Sequence, residues 1–211
     1  MVFNESTKSY VKQIAPSQRV EIIPNGVNLS LFTPQGERFN HGLSGKVVLT
    51  VGALNRQNHK RIHLAIEAVS KLNDVALLIC GDGPDVAYFE SLCDARLGVS
   101  RYKIIKVDFA DIPNVYRAVD AFTLPSEDEP FGRVYLEAMA SGLPVVATDD
   151  SMRRALVGNA GNVCDVTNID EYAAALAATL SANWANKPIE QAADYSWESV
   201  AEQYAKVIDS L

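Results

Sequence analysis

With 211 residues, 48% hydrophobic and 21% charged, the chain can bury one full core without disulfide or metal staples, which excludes a disordered chain, a collagen-like repeat and a coiled coil. A net charge of −7, from 19 Lys plus Arg against 26 Asp plus Glu, offers no basic face for extended nucleic-acid binding, although a few local donors suffice for a small anion. No apolar run approaches the ~20 residues of a membrane span, the start (MVFNESTKSYVKQI) lacks a secretory pattern, and Cys80, Cys93 and Cys164, without Cys-x-x-Cys spacing, read as buried thiols in a reducing compartment.

In chain order, residues 4–14 read as a helix that reaches Pro16 with no strand before it. An α/β domain seldom starts that way, so this segment is expected to be the tail of another unit. Val20–Ile23 is the first strand candidate, and 40–46 (NHGLSGK) is a polar connector. Strand candidates Val47–Val51, Ala76–Cys80, Tyr102–Val107, Ala121–Leu124 and Pro144–Ala147 then alternate with helical patterns at about 59–72, 84–97, 111–118, 132–141 and 149–157. Several of these strands are apolar on both faces, as parallel strands covered by helices should be. From Asn168 onward the chain is mostly helical, at 169–182 and 196–211, with a break near Asn183–Pro188. The pattern predicts an α/β fold with a mainly parallel, doubly wound sheet.

The segment Leu124–Asp149 (LPSEDEPFGRVYLEAMASGLPVVATD) carries the strongest chemical signal. A strand, a polar loop and a helix start near Gly132 follow one another, which is how α/β folds present ligand sites. The first free N–H groups of that helix, at Phe131, Gly132 and Arg133, would favour an anion, and Gly132 would let a phosphate come close to the backbone. Glu129 and Glu137 bracket the turn, eight residues apart. Carboxylates accept paired hydroxyl hydrogen bonds, as from a sugar or ribose; the plain alternative is helix-start electrostatics for Glu129 and solvation for Glu137. The histidines His41, His59 and His63 lack companions at metal-ligand spacing.

The string EPFGRVYLEAMASGLPVVAT resembles the E-x7-E segment of retaining GT-B glycosyltransferases of family 4, the glycosyl transferases group 1. Other stretches recur in that family's order: IIPNGVN at 22–28 with FTP at 32–34, VGAL at 51–54 with KRIHLAIEA at 60–68, LLICGDGP at 77–84 and DYSW at 194–197. The similarity covers about residues 5–211. It implies the Rossmann-like C-terminal half of a GT-B fold with extra C-terminal helices. Residues 1–19 would be the end of a missing N-terminal domain and linker, 20–182 the nucleotide-sugar-binding domain, and 183–211 helices packing back towards that N-terminal domain.

The resemblance also implies roles. Glu137 would hold the ribose hydroxyls and Glu129 the hydroxyls of the transferred sugar. Backbone groups of Phe131, Gly132 and Arg133 would meet the diphosphate and sugar. Lys60 falls on the family lysine that neutralises the diphosphate. Ala53 replaces the family arginine after Gly52, so Arg56 or Arg61 would stand in for it. Gly81 and Gly83 form the turn beside the donor pocket, and Ile104–Asp108 would line the base. Lys60 and Glu129 are the expected catalytic pair, with no metal, the donor being a nucleoside diphosphate sugar. The expected partners are this nucleotide sugar and the missing N-terminal acceptor domain or a separate subunit in its place. The C-terminal helix face Val200, Tyr204, Val207 and Ile208 is expected to drive self-association. A cytoplasmic enzyme, peripheral at the inner membrane face when complete and inactive as this chain alone, is the implied setting. The competing reading is a non-catalytic module of the same fold that docks a separate acceptor subunit.

Overall fold

The computed structural model describes residues 1–127 and 129–210. Among the described residues, six parallel strands form one sheet: β1 (Lys46–Val51), β2 (Val75–Cys80), β3 (Tyr102–Ile105), β4 (Ala121–Leu124), β5 (Val145–Thr148) and β6 (Gly161–Cys164). Their spatial order is β3-β2-β1-β4-β5-β6. The chain winds outward from β1 to β3 and returns to the other side of β1 as β4. The strand order therefore reverses between β1 and β4, where open α/β sheets bind their ligands.

Strand side chains divide between two apolar layers. Val47, Leu49, Leu78, Phe122, Leu124 and Val145 pack under α4 (Ile112–Tyr116), α5 (Arg133–Ala140) and α8 (Lys187–Ala193). Val48, Leu77, Ile79 and Val146 face α2 (Ile62–Ser70), α3 (Val86–Arg96) and α7 (Ile169–Ser181). Burial on both faces accounts for the near-continuous apolar runs of β1 and β2. Buried Thr123 of β4 is satisfied within the second layer, donating to Val146 O at 2.8 Å and lying 2.6 Å from the Tyr172 hydroxyl. All three cysteines are buried, and burial pushes their thiols up, to about 11 for Cys80 and about 12 for Cys93 and Cys164.

Three features depart from the sequence expectation. Val20–Ile23 forms no sheet strand; its one ladder contact is a parallel bridge from Ile22 to Val2. The short edge strand β6 and the helix α8 occupy places left unassigned. β6 reads GNVC, without an alternating or continuous apolar pattern. α8 begins at the Asn183–Pro188 break, where Pro188 suits the first turn because its missing N–H costs nothing there.

The N-terminal helix α1 (Glu5–Ile14) buries none of its residues. Asn4 caps it by accepting from Thr7 N–H at 2.8 Å and donates from Nδ2 to Pro130 O at 2.7 Å. That second bond ties the start of the chain to the loop after β4. The last helix, α9 (Trp197–Ile208), begins against the 24–28 segment through the bridge between Val27 and Ser196. Its Trp197 ring lies where a Cβ on Gly26 would come within 2.6 Å, so Gly26 makes room for the indole. Among the described residues no helix is long and apolar enough to cross a membrane.

Candidate functional site

Four loops leave the carboxyl edge of the sheet around the β1/β4 reversal. The loop after β1 runs from Gly52 to Arg61 and is built by its asparagines. Asn55 Oδ1 accepts from Gln57 N–H at 2.9 Å, Asn58 Nδ2 donates to Ala53 O at 2.9 Å, and Asn58 Oδ1 accepts from Lys60 N–H at 2.9 Å. Arg61 then adopts a left-handed backbone (φ 49°) before α2 starts. Such a conformation is costly for a residue with a Cβ, and here neighbouring bonds hold it. Arg61 Nε donates to Pro125 O at 2.8 Å, and Glu127 N–H donates to His59 O at 2.7 Å.

Those bonds clip the β1 loop to the β4 loop and set Lys60 against Glu129. The Lys60 ammonium pairs with the Glu129 carboxylate, and His59 Nε2 lies 3.6 Å from the same oxygen. The pair is mostly sheltered, with side-chain exposures of 20% for Lys60 and 12% for Glu129. The stem of Lys60 crosses Gly52, where an added Cβ would meet Lys60 Cγ at an ordinary 3.5 Å.

The β4 loop is braced from below. Buried Arg153, on α6 (Ser151–Val157), donates to the carbonyl and hydroxyl of Ser126, both at 3.0 Å, and pairs with Asp150 at 2.5 Å. The buried Tyr135 hydroxyl donates to Leu124 O at 2.5 Å. Gly132 ends the loop with φ 84° and caps α5 without any side chain of its own. A Cβ there would sit 2.6 Å from the Tyr135 ring and 3.2 Å from Glu129 Cγ. Glycine is required both for the backbone and for space. The first turn of α5 is left to present its N–H groups and positive dipole end at the crevice. Phe131 is buried against the Tyr195 ring, so its side chain anchors the turn.

Glu137, one turn after exposed Arg133, is half-buried. The Tyr116 hydroxyl donates to it at 3.1 Å. Burial raises its pKa above the ordinary carboxylate value, with the Tyr116 bond and the nearby Arg133 charge opposing. Burial, then Glu137, drive the Tyr116 hydroxyl well upward in turn.

Gly81 and Gly83 are packed rather than open. A Cβ on Gly81 would lie 1.9 Å from Gly52 O, and one on Gly83 would lie 2.4 Å from Leu54 O. Their faces are taken by the β1 loop, to which this turn bonds through Leu54 N–H to Asp82 O at 2.9 Å. Arg56 turns to α3: Nε donates to Asp85 at 3.1 Å and the guanidinium lies 4.8 Å over the Tyr88 ring. The structure thus brings Gly52, Lys60, Glu129 and Gly132 together, with Phe131 anchoring their turn. It sets Arg133 and Glu137 one helical turn along α5, places Gly81 and Gly83 as packing beneath the β1 loop, and points Arg56 elsewhere.

Sequence reasoning did not single out Tyr116, Tyr135 or Arg153. The first two lack any local signature. Arg153 had one, in the capping pattern Asp150-x-x-Arg153 at the start of α6, where Asp150 accepts from Arg153 N–H at 2.9 Å. A large cleft of about 830 Å³ opens beside Glu129, between the first turn of α1 and α6, lined by Asn4, Thr7, Phe131, Met152, Arg153 and Tyr195 among others.

The glycosyl transferases group 1 family model matches residues 35–196. The chain is 32% identical over 222 residues to the D-inositol 3-phosphate glycosyltransferase of Corynebacterium urealyticum, covering 92% of this chain and 51% of that protein. It is 32% identical over 209 residues to the phosphatidyl-myo-inositol mannosyltransferase of Mycolicibacterium smegmatis, covering 92% and 53%. The chain thus spans about half the length of these curated relatives. Its fold superposes on sucrose-phosphate synthase of Thermosynechococcus elongatus with a TM-score of 0.83 at 24% identity, over 99% of this chain and 57% of that one. It also superposes on Anabaena HepE, solved in complex with UDP and glucose, with a TM-score of 0.76 at 23% identity, over 100% and 63%.

Proposed function

Because the chain belongs to the glycosyl transferases group 1 family, we propose that it is the nucleotide-sugar-binding part of a retaining glycosyltransferase. The single observation that carries this reading is the juxtaposition of Lys60, Glu129 and the uncapped start of α5 at the β1/β4 reversal. That crevice offers the Lys60 ammonium and a row of N–H groups to a diphosphate, with a carboxylate alongside for sugar hydroxyls. Residues 20–182 act as the donor-binding unit, with α8 packed on its α5; 1–19 are the end of a second, acceptor-binding domain and its linker, and α9 runs back towards that domain.

In the reaction, the bond between the anomeric carbon and the diphosphate oxygen breaks while an acceptor hydroxyl attacks from the same face, its proton passing to the departing diphosphate oxygen. Lys60 and the α5 start stabilise the charge that develops on the leaving diphosphate. Glu129 orients the sugar, and Glu137 holds the ribose one turn away. Before the donor arrives Lys60 and Glu129 neutralise each other, so donor binding exchanges the carboxylate for phosphate oxygens on Lys60. Transfer requires the acceptor held in register, which is the work of the second domain.

The test uses this chain with and without its acceptor-binding domain. The chain alone is expected to bind the intact nucleotide sugar but transfer no sugar. The reunited domains are expected to transfer it with the anomeric configuration retained, read from proton NMR coupling constants. Inversion at the anomeric carbon, or robust transfer by the chain alone, would contradict the reading.

Acidification gives a separate test. Partial burial holds the Glu137 carboxyl above the ordinary carboxylate range, so on lowering the pH it protonates earlier than an exposed glutamate. Nucleotide affinity is expected to fall through that window, as the ribose hydroxyls lose an ionised acceptor. Stability moves the other way. The fold disfavours the charged form, so the burial penalty is present at neutral pH and is relieved as pH drops from the raised pKa towards the unfolded value. Glu137→Gln is expected to weaken nucleotide binding by about tenfold or more and to remove that acid limb. An affinity profile unchanged by Glu137→Gln would show that Glu137 does not touch the nucleotide.

A further inference from the structure

Helix α1 buries none of its residues, so little holds it to the body of the molecule. Val2 pairs with the segment that follows the helix, donating to Glu21 O and accepting from Ile23 N–H, both at 3.0 Å. Among the described residues, one hydrogen bond runs from the 1–14 segment to a loop of the site. It is the bond from Asn4 Nδ2 to Pro130 O, at 2.7 Å. Asn4 and Pro130 both line the cleft of about 830 Å³ beside Glu129, so this bond lies at the margin of the site itself.

Half-buried Asn4 uses both ends of its amide. Its oxygen accepts Thr7 N–H at 2.8 Å and caps α1, which leaves the nitrogen to hold the loop. The remaining side-chain bonds to carbonyls of the β4 loop fall in its first half. Arg61 holds Pro125 O, while Arg153 and Thr148 hold Ser126 O. Proline has no N–H, so the backbone of Pro130 can be fixed only through its carbonyl. That carbonyl shares one planar trans peptide with Phe131 N–H, and the two point in opposite directions. A donor on Pro130 O therefore fixes the line along which Phe131 N–H points.

We propose that Asn4 is a positioning residue of the donor site, aiming the Pro130–Phe131 peptide so that the docking of α1 sets the loop for the nucleotide. The proposal rests on the donor-site reading given above, in which Phe131 N–H is one of the donors at the start of α5 and α1 is the end of the acceptor-binding domain. It adds a physical link between the two domains. When α1 swings away, Pro130 O loses its donor and the peptide is free to turn. Linkage makes the effect mutual: a nucleotide held by the aimed loop also holds α1 in place.

The test titrates the chain with UDP, GDP, ADP and TDP by calorimetry, for wild type, Asn4→Ser and Asn4→Asp. Serine and aspartate both remain good helix caps, and neither carries the amide nitrogen. Each is expected to weaken the preferred nucleotide about fivefold, to move the Phe131 amide signal in NMR, and to leave helicity and thermal stability unchanged. Saturating nucleotide should slow tryptic cleavage after Lys8 and Lys12 about fivefold in wild type and not in Asn4→Ser. Wild-type affinity in Asn4→Ser would overturn the proposal while leaving the donor site standing, and a loss confined to Asn4→Asp would be charge repulsion and do the same. Weaker binding accompanied by melting of α1 would make Asn4 a helix cap only and also overturn it. Failure of the wild type to bind any of the four nucleotides would bring down both readings.

Discussion

Replacing Lys60 by alanine is expected to lower sugar transfer by the assembled enzyme about 100- to 1,000-fold. Lys60 is the cation that the β1 loop delivers into the crevice, beside the α5 start and in contact with Glu129. The leaving diphosphate gains negative charge as the glycosidic bond breaks, and a sheltered ammonium stabilises it more than the ground state. The loss should therefore fall mainly on kcat. Arg56 cannot take over without leaving Asp85 and Tyr88, nor Arg61 without releasing Pro125 O.

Glu129→Gln separates the two members of the pair. The substitution frees Lys60 from its carboxylate, so nucleoside diphosphate affinity should hold or rise while transfer falls. A loss of diphosphate affinity as large as that of Lys60→Ala would mean that Glu129 works by positioning the loop instead. Urea unfolding of both variants checks this, because removing one member of a sheltered pair also costs stability.

The second large effect is expected at Gly132. Gly132→Ala should destabilise the chain by about 2–4 kcal/mol, from left-handed backbone strain and overpacking together. The backbone stands at φ 84°, and the new methyl would press on the buried Tyr135 ring, which is itself bonded to Leu124 O. If the chain relaxes by turning the peptide, the N–H groups at the α5 start lose their aim and diphosphate binding disappears even in the folded fraction. Gly52→Ala is the control: its methyl would make only ordinary contact with the Lys60 stem. Its stability should stay close to wild type. Equal stability of Gly132→Ala and wild type in urea would refute the assigned geometry.

The sheet was legible in the sequence where burial on both faces left continuous apolar runs, as in Val47–Val51 and Ala76–Cys80. It was not legible at β6, whose Gly161 lies so close to Val145 O that a Cβ would sit 2.0 Å away. A strand chosen for close approach rather than apolar content leaves no hydropathic trace. Val20–Ile23 shows the opposite failure: β-branched residues promise a strand, but strands need a partner, and only Val2 pairs with it.

The site divides in the same way. Glu129, Gly132 and Glu137 were singled out through the resemblance of the whole string around them, and Lys60 through the loop pattern before α2; the structure sets Lys60 against Glu129 beside Gly132, with Glu137 further along α5. The direction of Arg56 was not legible, since it depends on Asp85, 29 residues further on. Nor was the Tyr116 hydroxyl under Glu137, 21 residues upstream. The resemblance placed Gly81 and Gly83 in a turn beside the donor pocket; the space against both glycines is filled by the backbone of Gly52 and Leu54. Long-range contacts decide which polar group faces the ligand, and local patterns do not encode them.

The most direct measurement is calorimetric titration of the chain with UDP, GDP, ADP and TDP, using Lys60→Ala and Glu137→Ala beside the wild type. The account predicts selective binding of one nucleotide, weakened at least tenfold by each substitution. Binding that neither substitution changes, or no binding at millimolar nucleotide, would contradict the claim that the β1/β4 crevice is a donor site.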